Sequence, residues 1–155
     1  MELGRHVTMS NDCRLLTPRI WLSADSVEPV LSIDDNVSLG RGCTISAANR
    51  IVIAKNVLFG PNVVVTDHNH TYRDVALPIR EQGWSRDGYV IIEKNCWIGA
   101  NAVIIGDKGV TIGQGSVIGA NSVVGNSVPK YSVVVGNPGR IVKYYDDKSM
   151  KWVTT

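Results

Sequence analysis

The 155-residue sequence has little of what marks a nucleic-acid, membrane or disulfide protein. Charged residues make up only 19% of it, below the usual quarter of a globular domain. Its formal net charge is +2, and no Lys/Arg block stands out, which excludes the electrostatic footprint of a nucleic-acid binder. No apolar run approaches the ~18 residues of a membrane span. The N-terminus, Met1 to Asp12, has neither the basic nor the apolar region of a signal peptide. These absences predict a soluble, cytoplasmic protein with no membrane insertion. The three cysteines, Cys13, Cys43 and Cys96, are far apart and show no CxxC or Cys/His spacing, so neither a disulfide framework nor a structural metal is expected.

What the chain does have is a period. An aliphatic residue recurs every six positions, often followed by Gly, with a small or β-branched residue fifth. The units Ile92 to Trp97 and Ile98 to Val103 are followed, after a two-residue insertion, by Ile112 to Val117, Ile118 to Val123 and Val124 to Pro129. Upstream, Ile33, Leu39 and Ile45 keep the step, with Val37, Cys43 and Asn49 fifth. After another two-residue slip, Ile53, Phe59 and Val65 continue it, and Leu3, Val7, Met9, Cys13 and Leu15 fit it loosely. Residues 16–32 are degenerate and read as an irregular early coil.

A six-residue unit is a short strand plus a corner, and three units close one triangular coil. First and fifth residues then point into a prism whose core is built only by stacking coils. A β-sandwich alternates with period two and turns every 8–12 residues, so it does not produce this step. The predicted fold is all-β: a parallel β-helix of hexapeptide repeats, one domain over 1–155, with a long protruding loop near 67–89 and a C-terminal tail near 141–155. All three cysteines take fifth positions as small buried hydrophobes.

Residues 90–143 resemble the hexapeptide-repeat acetyltransferase family, and the pattern extends over most of the chain. The resemblance rests on Cys96-Trp97-Ile98-Gly99-Ala100, Ile118-Gly119-Ala120-Asn121-Ser122-Val123-Val124, and the closing Val135-Gly136-Asn137-Pro138-Gly139-Arg140-Ile141-Val142-Lys143. The layout is similar to galactoside acetyltransferase, and the Asp-His-x-His stretch to enzymes that O-acetylate capsule, lipopolysaccharide or exopolysaccharide sugars. The resemblance implies a left-handed coil, acetyl-CoA as co-substrate without a metal, and a homotrimer with active sites between subunits. It also implies transfer of an acetyl group to a sugar hydroxyl. An N-acetyltransferase of an amino-sugar nucleotide is the runner-up. A metal-binding protein like the γ-class carbonic anhydrases and a non-catalytic β-helix are more distant readings.

The repeat breaks after Val65 and returns near Ile92. A loop of this length in a compact repeat is often functional, and it holds two of the three histidines. Acetyl transfer to a hydroxyl needs a base poised near neutral pH, for which histidine is suited. The family's catalytic position matches His68. His70 is the alternative, since strand alternation puts both on one side. His6 reads as structural. The pair His-x-His has no third histidine nearby, so no metal site is expected. Asn49, a polar residue at a fifth position, is a candidate to orient the imidazole and contact the acceptor. Asp67, His70, Tyr72, Arg73, Trp84 and Arg86 are candidate sugar contacts. By resemblance, Ala100 supplies a backbone N–H to the thioester carbonyl, an interaction that can contribute ~3 kcal/mol, and Ala120 contacts the pantetheine arm. Trp97 flanks the coenzyme. Arg140 and Lys143 match the family's phosphate-binding pair. Family members often carry a lysine near Asn126; here Lys130 is the available substitute.

Overall fold

The computed structural model describes residues 1–18, 30–85 and 87–155. Most of the irregular coil read over 16–32, and Arg86, lie outside the described residues. Each coil supplies one strand to each of three faces. The first has β1 (Glu2–Leu3), β2 (Thr8–Met9) and β3 (Arg14–Leu16); the second has β4 (Leu31–Ile33), β5 (Ser38–Leu39) and β6 (Thr44–Ser46). The third has β7 (Ile51–Ile53), β8 (Leu58–Phe59) and β9 (Val64–Thr66). After the loop come β10 (Val90–Ile92), β11 (Trp97–Ile98) and β12 (Val103–Ile105), then β13 (Val110–Ile112), β14 (Val117–Ile118) and β15 (Val123–Val124). The faces are β1-β4-β7-β10-β13, β2-β5-β8-β11-β14 and β3-β6-β9-β12-β15, all parallel. The chain is a left-handed parallel β-helix.

The repeat sets the core directly. Ile33, Leu39, Ile45, Ile53, Phe59, Val65, Ile92, Ile98, Ile104, Ile112 and Ile118 stack in the buried interior, with Val37, Val57, Val63 and Ala102 at fifth positions between them. Burying one such aliphatic side chain contributes roughly 1.5–3 kcal/mol, and only neighbouring coils provide that burial. The first coil shows the consequence. Leu3 and Met9, at first positions, remain 44% and 48% exposed, since among the described residues only the coil above packs against them.

The corners are made by residues at positive φ, one place before the fifth position. Asn36, Asn56 and Asn95 occupy one corner and Asn62, Asn101 and Asn121 another. Asn tolerates this left-handed conformation better than most residues. Stacking makes each set a ladder: Asn36 donates to Asn56, Asn56 to Asn95, Asn62 to Asn101 and Asn101 to Asn121, at 3.1–3.3 Å. His6 takes the same conformation at its corner in the first coil and is exposed.

Cys43 and Cys96 are buried and Cys13 half-buried, all free. Their thiols donate to the carbonyls of Gly60, Gly113 and Gly40, each at 3.2 Å. Burial raises the pKa of Cys43 and Cys96 above the ordinary thiol value.

The C-terminus differs from the expected tail. β16 (Ser132–Val135) pairs in parallel with β14, and β17 (Arg140–Asp146) and β18 (Lys151–Thr154) fold back antiparallel onto it. Tyr145 packs edge-on against Tyr131 and Trp152. These aromatics give the hairpin an apolar attachment where the hexapeptide period has ended.

Candidate functional site

The protruding loop leaves the third face at Thr66 and re-enters the first at Val90. Its ends are tied into the ladders: Gly106 N–H donates to Thr66 O at 2.7 Å, and Val90 N–H to Arg50 O at 2.9 Å. At the exit, a Cβ on Gly88 would overlap the backbone carbonyls of Asp67 and Gly106, so only glycine lets the returning strand lie this close.

At the entrance sit Asp67 and His68. Asp67 is 0% exposed, so direct contact with a sugar, expected from the sequence, is closed to it. Its carboxylate accepts backbone N–H groups from Ala48 at 2.9 Å, Asn49 at 2.8 Å and Arg50 at 2.6 Å, in the corner one coil below. The same carboxylate lies 2.8 Å from His68 Nδ1. With Nδ1–H donating to Asp67, Nε2 is left as the acceptor, which is the arrangement a general base requires. His68 is itself 7% exposed.

The side chain bonded to His68 Nδ1 is that of Asp67, whereas that of Asn49, the candidate for that contact, meets the backbone of Asp67. Asn49 is only half-buried, because the corner slips at Ala47 and Ala48 and moves it off an inward fifth position. Its Nδ2 donates to the backbone carbonyl of Asp67 at 3.4 Å. Strand alternation hid the partnership, since it places residues 67 and 68 on opposite sides. The chain turns here, and the two buried side chains meet.

The described residues of the loop form a hairpin. His70 and Trp84 form an antiparallel bridge, flanked by Thr71 N–H to Gly83 O at 3.0 Å and Ser85 N–H to Asn69 O at 2.8 Å. Gln82 fastens the tip by donating to the carbonyls of Asp74 and Leu77. Trp84 stacks on His70 at 3.9 Å between ring centroids and lies 5.1 Å from His68. His70 is exposed and held by this stack and bridge, whereas His68 is buried and bonded to Asp67. A cleft of about 440 Å³ opens beside this stack, lined by His70, Tyr72, Arg73, Trp84, Asp107 and Lys108 among others. Asp107 and Lys108 come from the next corner of the prism. Sequence reasoning passed over them, although Thr66 pairing with Ile105 puts them level with the loop.

The other candidates lie elsewhere. Trp97 is 52% exposed and points outward beside Leu58. Among the described residues the N–H groups of Ala100 and Ala120 find no acceptor. A Cβ on Gly60 would lie 2.7 Å from Ala100 N, and one on Gly99 would lie 2.6 Å from Ala120 N, so glycine keeps both donors uncovered. Arg140 borders a cavity of about 300 Å³ with Val123 to Val128 and Pro138. A β-bulge in β17, between the pairs Val133–Lys143 and Val134–Ile141, shifts the alternation by one residue. It turns Arg140 and Lys143, three apart in sequence, toward the same side. Among the described residues there is no group of three or more His, Cys, Asp or Glu side chains that could hold a metal ion. No helix among them is long and apolar enough to cross a membrane.

The family description "Hexapeptide repeat of succinyl-transferase" matches residues 89–126. The galactoside O-acetyltransferase of Escherichia coli is 35% identical over 130 residues, 79% of this chain and 62% of that protein. That of Lactococcus lactis is 33% identical over 122 residues, 75% of this chain and 56% of that protein. The chain spans between 40% and 65% of the length of the first curated relatives it matches. A crystal structure of a hexapeptide-repeat acetyltransferase from Vibrio cholerae, complexed with acetyl-CoA, superposes with a TM-score of 0.75 at 26% identity. It covers 94% of this chain and 72% of that one. With the same repeat running through its stacked coils, and these relatives aligned over most of its length, the chain belongs to the hexapeptide-repeat acetyltransferase family.

Proposed function

We propose that the protein transfers an acetyl group from acetyl-CoA directly to a sugar hydroxyl of a saccharide or polysaccharide precursor. The observation that carries this reading is the buried Asp67–His68 pair at the mouth of the loop. Asp67 fixes the tautomer and orientation of His68. His68 Nε2 removes the hydroxyl proton as the oxygen attacks the acetyl carbon, and the N–H of Ala100 receives the developing oxyanion. Collapse breaks the C–S bond, and His68 returns the proton to the coenzyme A thiolate. Trp97 and Ala120 line the coenzyme's arm, and Arg140 with Lys143 meet its phosphates. His70, Tyr72, Arg73 and Trp84 hold the acceptor, with Asn49 at the site's edge.

One chain does not assemble this site. Thr66 is in register with Ile105, so His68 follows the end of the third face, while Ala100 precedes its start at Val103. At ~3.3 Å per residue the two are roughly 15–20 Å apart. A neighbouring copy must bring one corner to the other, and we read the active form as a homotrimer with sites between subunits. The relatives named as galactoside O-acetyltransferases and the acetyl-CoA complex support the donor and the class of acceptor. The test is thiol release from acetyl-CoA across a panel of sugars and nucleotide sugars, with product mass and light scattering. Acetylated sugar formed by a trimer is expected. Release only with amino-sugar nucleotides, or full activity in a monomer, would overturn the reading.

A further inference from the structure

His68 stands at the entrance of an exposed polar loop, yet 93% of its surface is covered. Asp67 covers the Nδ1 edge, and the Trp84 indole packs against the ring, tilted at 52° with centroids 5.1 Å apart. Trp84 is held there from three directions. It stacks on His70, it bridges to His70 through the backbone, and Gly83 before it adopts φ +80, a conformation that turns the strand back over the histidines. A polar loop has no core to fill, so this indole in contact with both histidines is not explained by packing alone.

A base that activates a sugar hydroxyl also activates water, which is far more abundant. A transferase must keep water from the imidazole until the acceptor is in place, because the competing reaction consumes the donor: acetyl-CoA and water give acetate and free coenzyme A. We propose that Trp84 is the residue that excludes water from His68, and that it thereby sets the ratio of acetyl transfer to acetyl-CoA hydrolysis. The proposal rests on the acetyltransferase reading above. Trp84 is a positioning and specificity residue rather than a proton carrier. It presents a rigid apolar face where the sugar ring's own apolar face can replace solvent, while its contact with His70 keeps the roof in register with the base.

The test needs no knowledge of the acceptor. Trp84→Ala should raise acetyl-CoA hydrolysis without any sugar by about tenfold or more, as water reaches the base. The gain should vanish in the double variant Trp84→Ala/His68→Ala, and Trp84→Phe, which keeps an aromatic face, should raise hydrolysis less than Trp84→Ala. A second readout is independent of turnover: carbethoxylation of His68 by diethyl pyrocarbonate, followed by peptide mass spectrometry. His68 should react slowly in the wild type and faster in Trp84→Ala. Equal hydrolysis and equal labelling in wild type and Trp84→Ala would overturn the proposal, as would a gain that survives loss of His68. If the wild type instead transfers no acetyl group to any acceptor, the acetyltransferase reading fails, and the labelling still decides whether Trp84 shields His68.

Discussion

Three of the corners that lead from the third face back to the first differ in how they are built. Between β6 and β7 the corner is Ala47 to Arg50, and between β12 and β13 it is Gly106 to Gly109. Between β9 and β10 it is residues 67–89. The two short corners turn the chain within four residues each. The long one carries the Asp67–His68 pair and the hairpin, and both short corners are used to build it. The lower corner donates three backbone N–H groups to Asp67. The upper one anchors Thr66 through Gly106 N–H and supplies Asp107 and Lys108 to the cleft. A repeat thus offers rigid, equivalent positions, and a site arises where one of them is elaborated while its neighbours stay plain.

The most drastic way to break this comparison is to make the middle corner plain. Replacing residues 67–89 by Gly-Asp-Lys-Gly, the sequence of the upper corner, should leave a folded β-helix and abolish acetyl transfer. Shortening the loop favours folding by about 1.5 kcal/mol in closure entropy, offset by loss of the bonds that Asp67 makes. Retained activity in a sugar assay, or an unfolded circular dichroism spectrum, would contradict the division into scaffold and site.

A smaller change leaves the loop and removes its link to the corner below. Asp67→Asn preserves size but cannot accept every bond the carboxylate accepts. Denaturant melts should show a loss of about 1–3 kcal/mol. Turnover should fall by roughly tenfold to a hundredfold through misplacement of His68, with acetyl-CoA affinity unchanged by calorimetry. A stability loss without a turnover loss would make Asp67 purely structural.

How far the sequence reveals this contrast depends on which residues are periodic. Inward positions such as Ile98, Cys96 and Ile118 are legible because each has the same environment as its neighbours in the stack. The short corners are legible too, as two-residue slips. The loop's internal order is not, since the His70–Trp84 contact joins residues 14 apart with no period to announce it. The Asp67–His68 contact is not legible either, because alternation, which would place neighbours on opposite sides, holds only inside a strand. The C-terminal hairpin is not legible, because Arg140 to Asp146 alternates imperfectly across its bulge.

Away from the corner, Arg140→Ala should weaken acetyl-CoA binding and leave the fold intact, because the residue is exposed on β17. Thermal shift at subsaturating coenzyme is the measurement, and a mutant stabilised as much as wild type would refute the assignment. The smallest effect is expected on the scaffold. Asn56 holds φ 60 in the middle of its ladder. Asn56→Ala should cost about 1–2 kcal/mol from left-handed strain alone, with Asn56→Gly milder and neither altering the acceptor-dependent rate of the folded enzyme.

The most direct test of the central claim compares the two loop histidines in steady-state turnover and acetyl-CoA affinity. His68 is bonded to Asp67 through Nδ1, whereas His70 stacks on Trp84 beside the cleft. His68→Ala should lower turnover by roughly 10²–10⁴-fold with coenzyme affinity preserved, and His70→Ala should act mainly on acceptor affinity. The reverse pattern would move the base to His70, and a loss of only a few-fold in both would contradict a histidine mechanism.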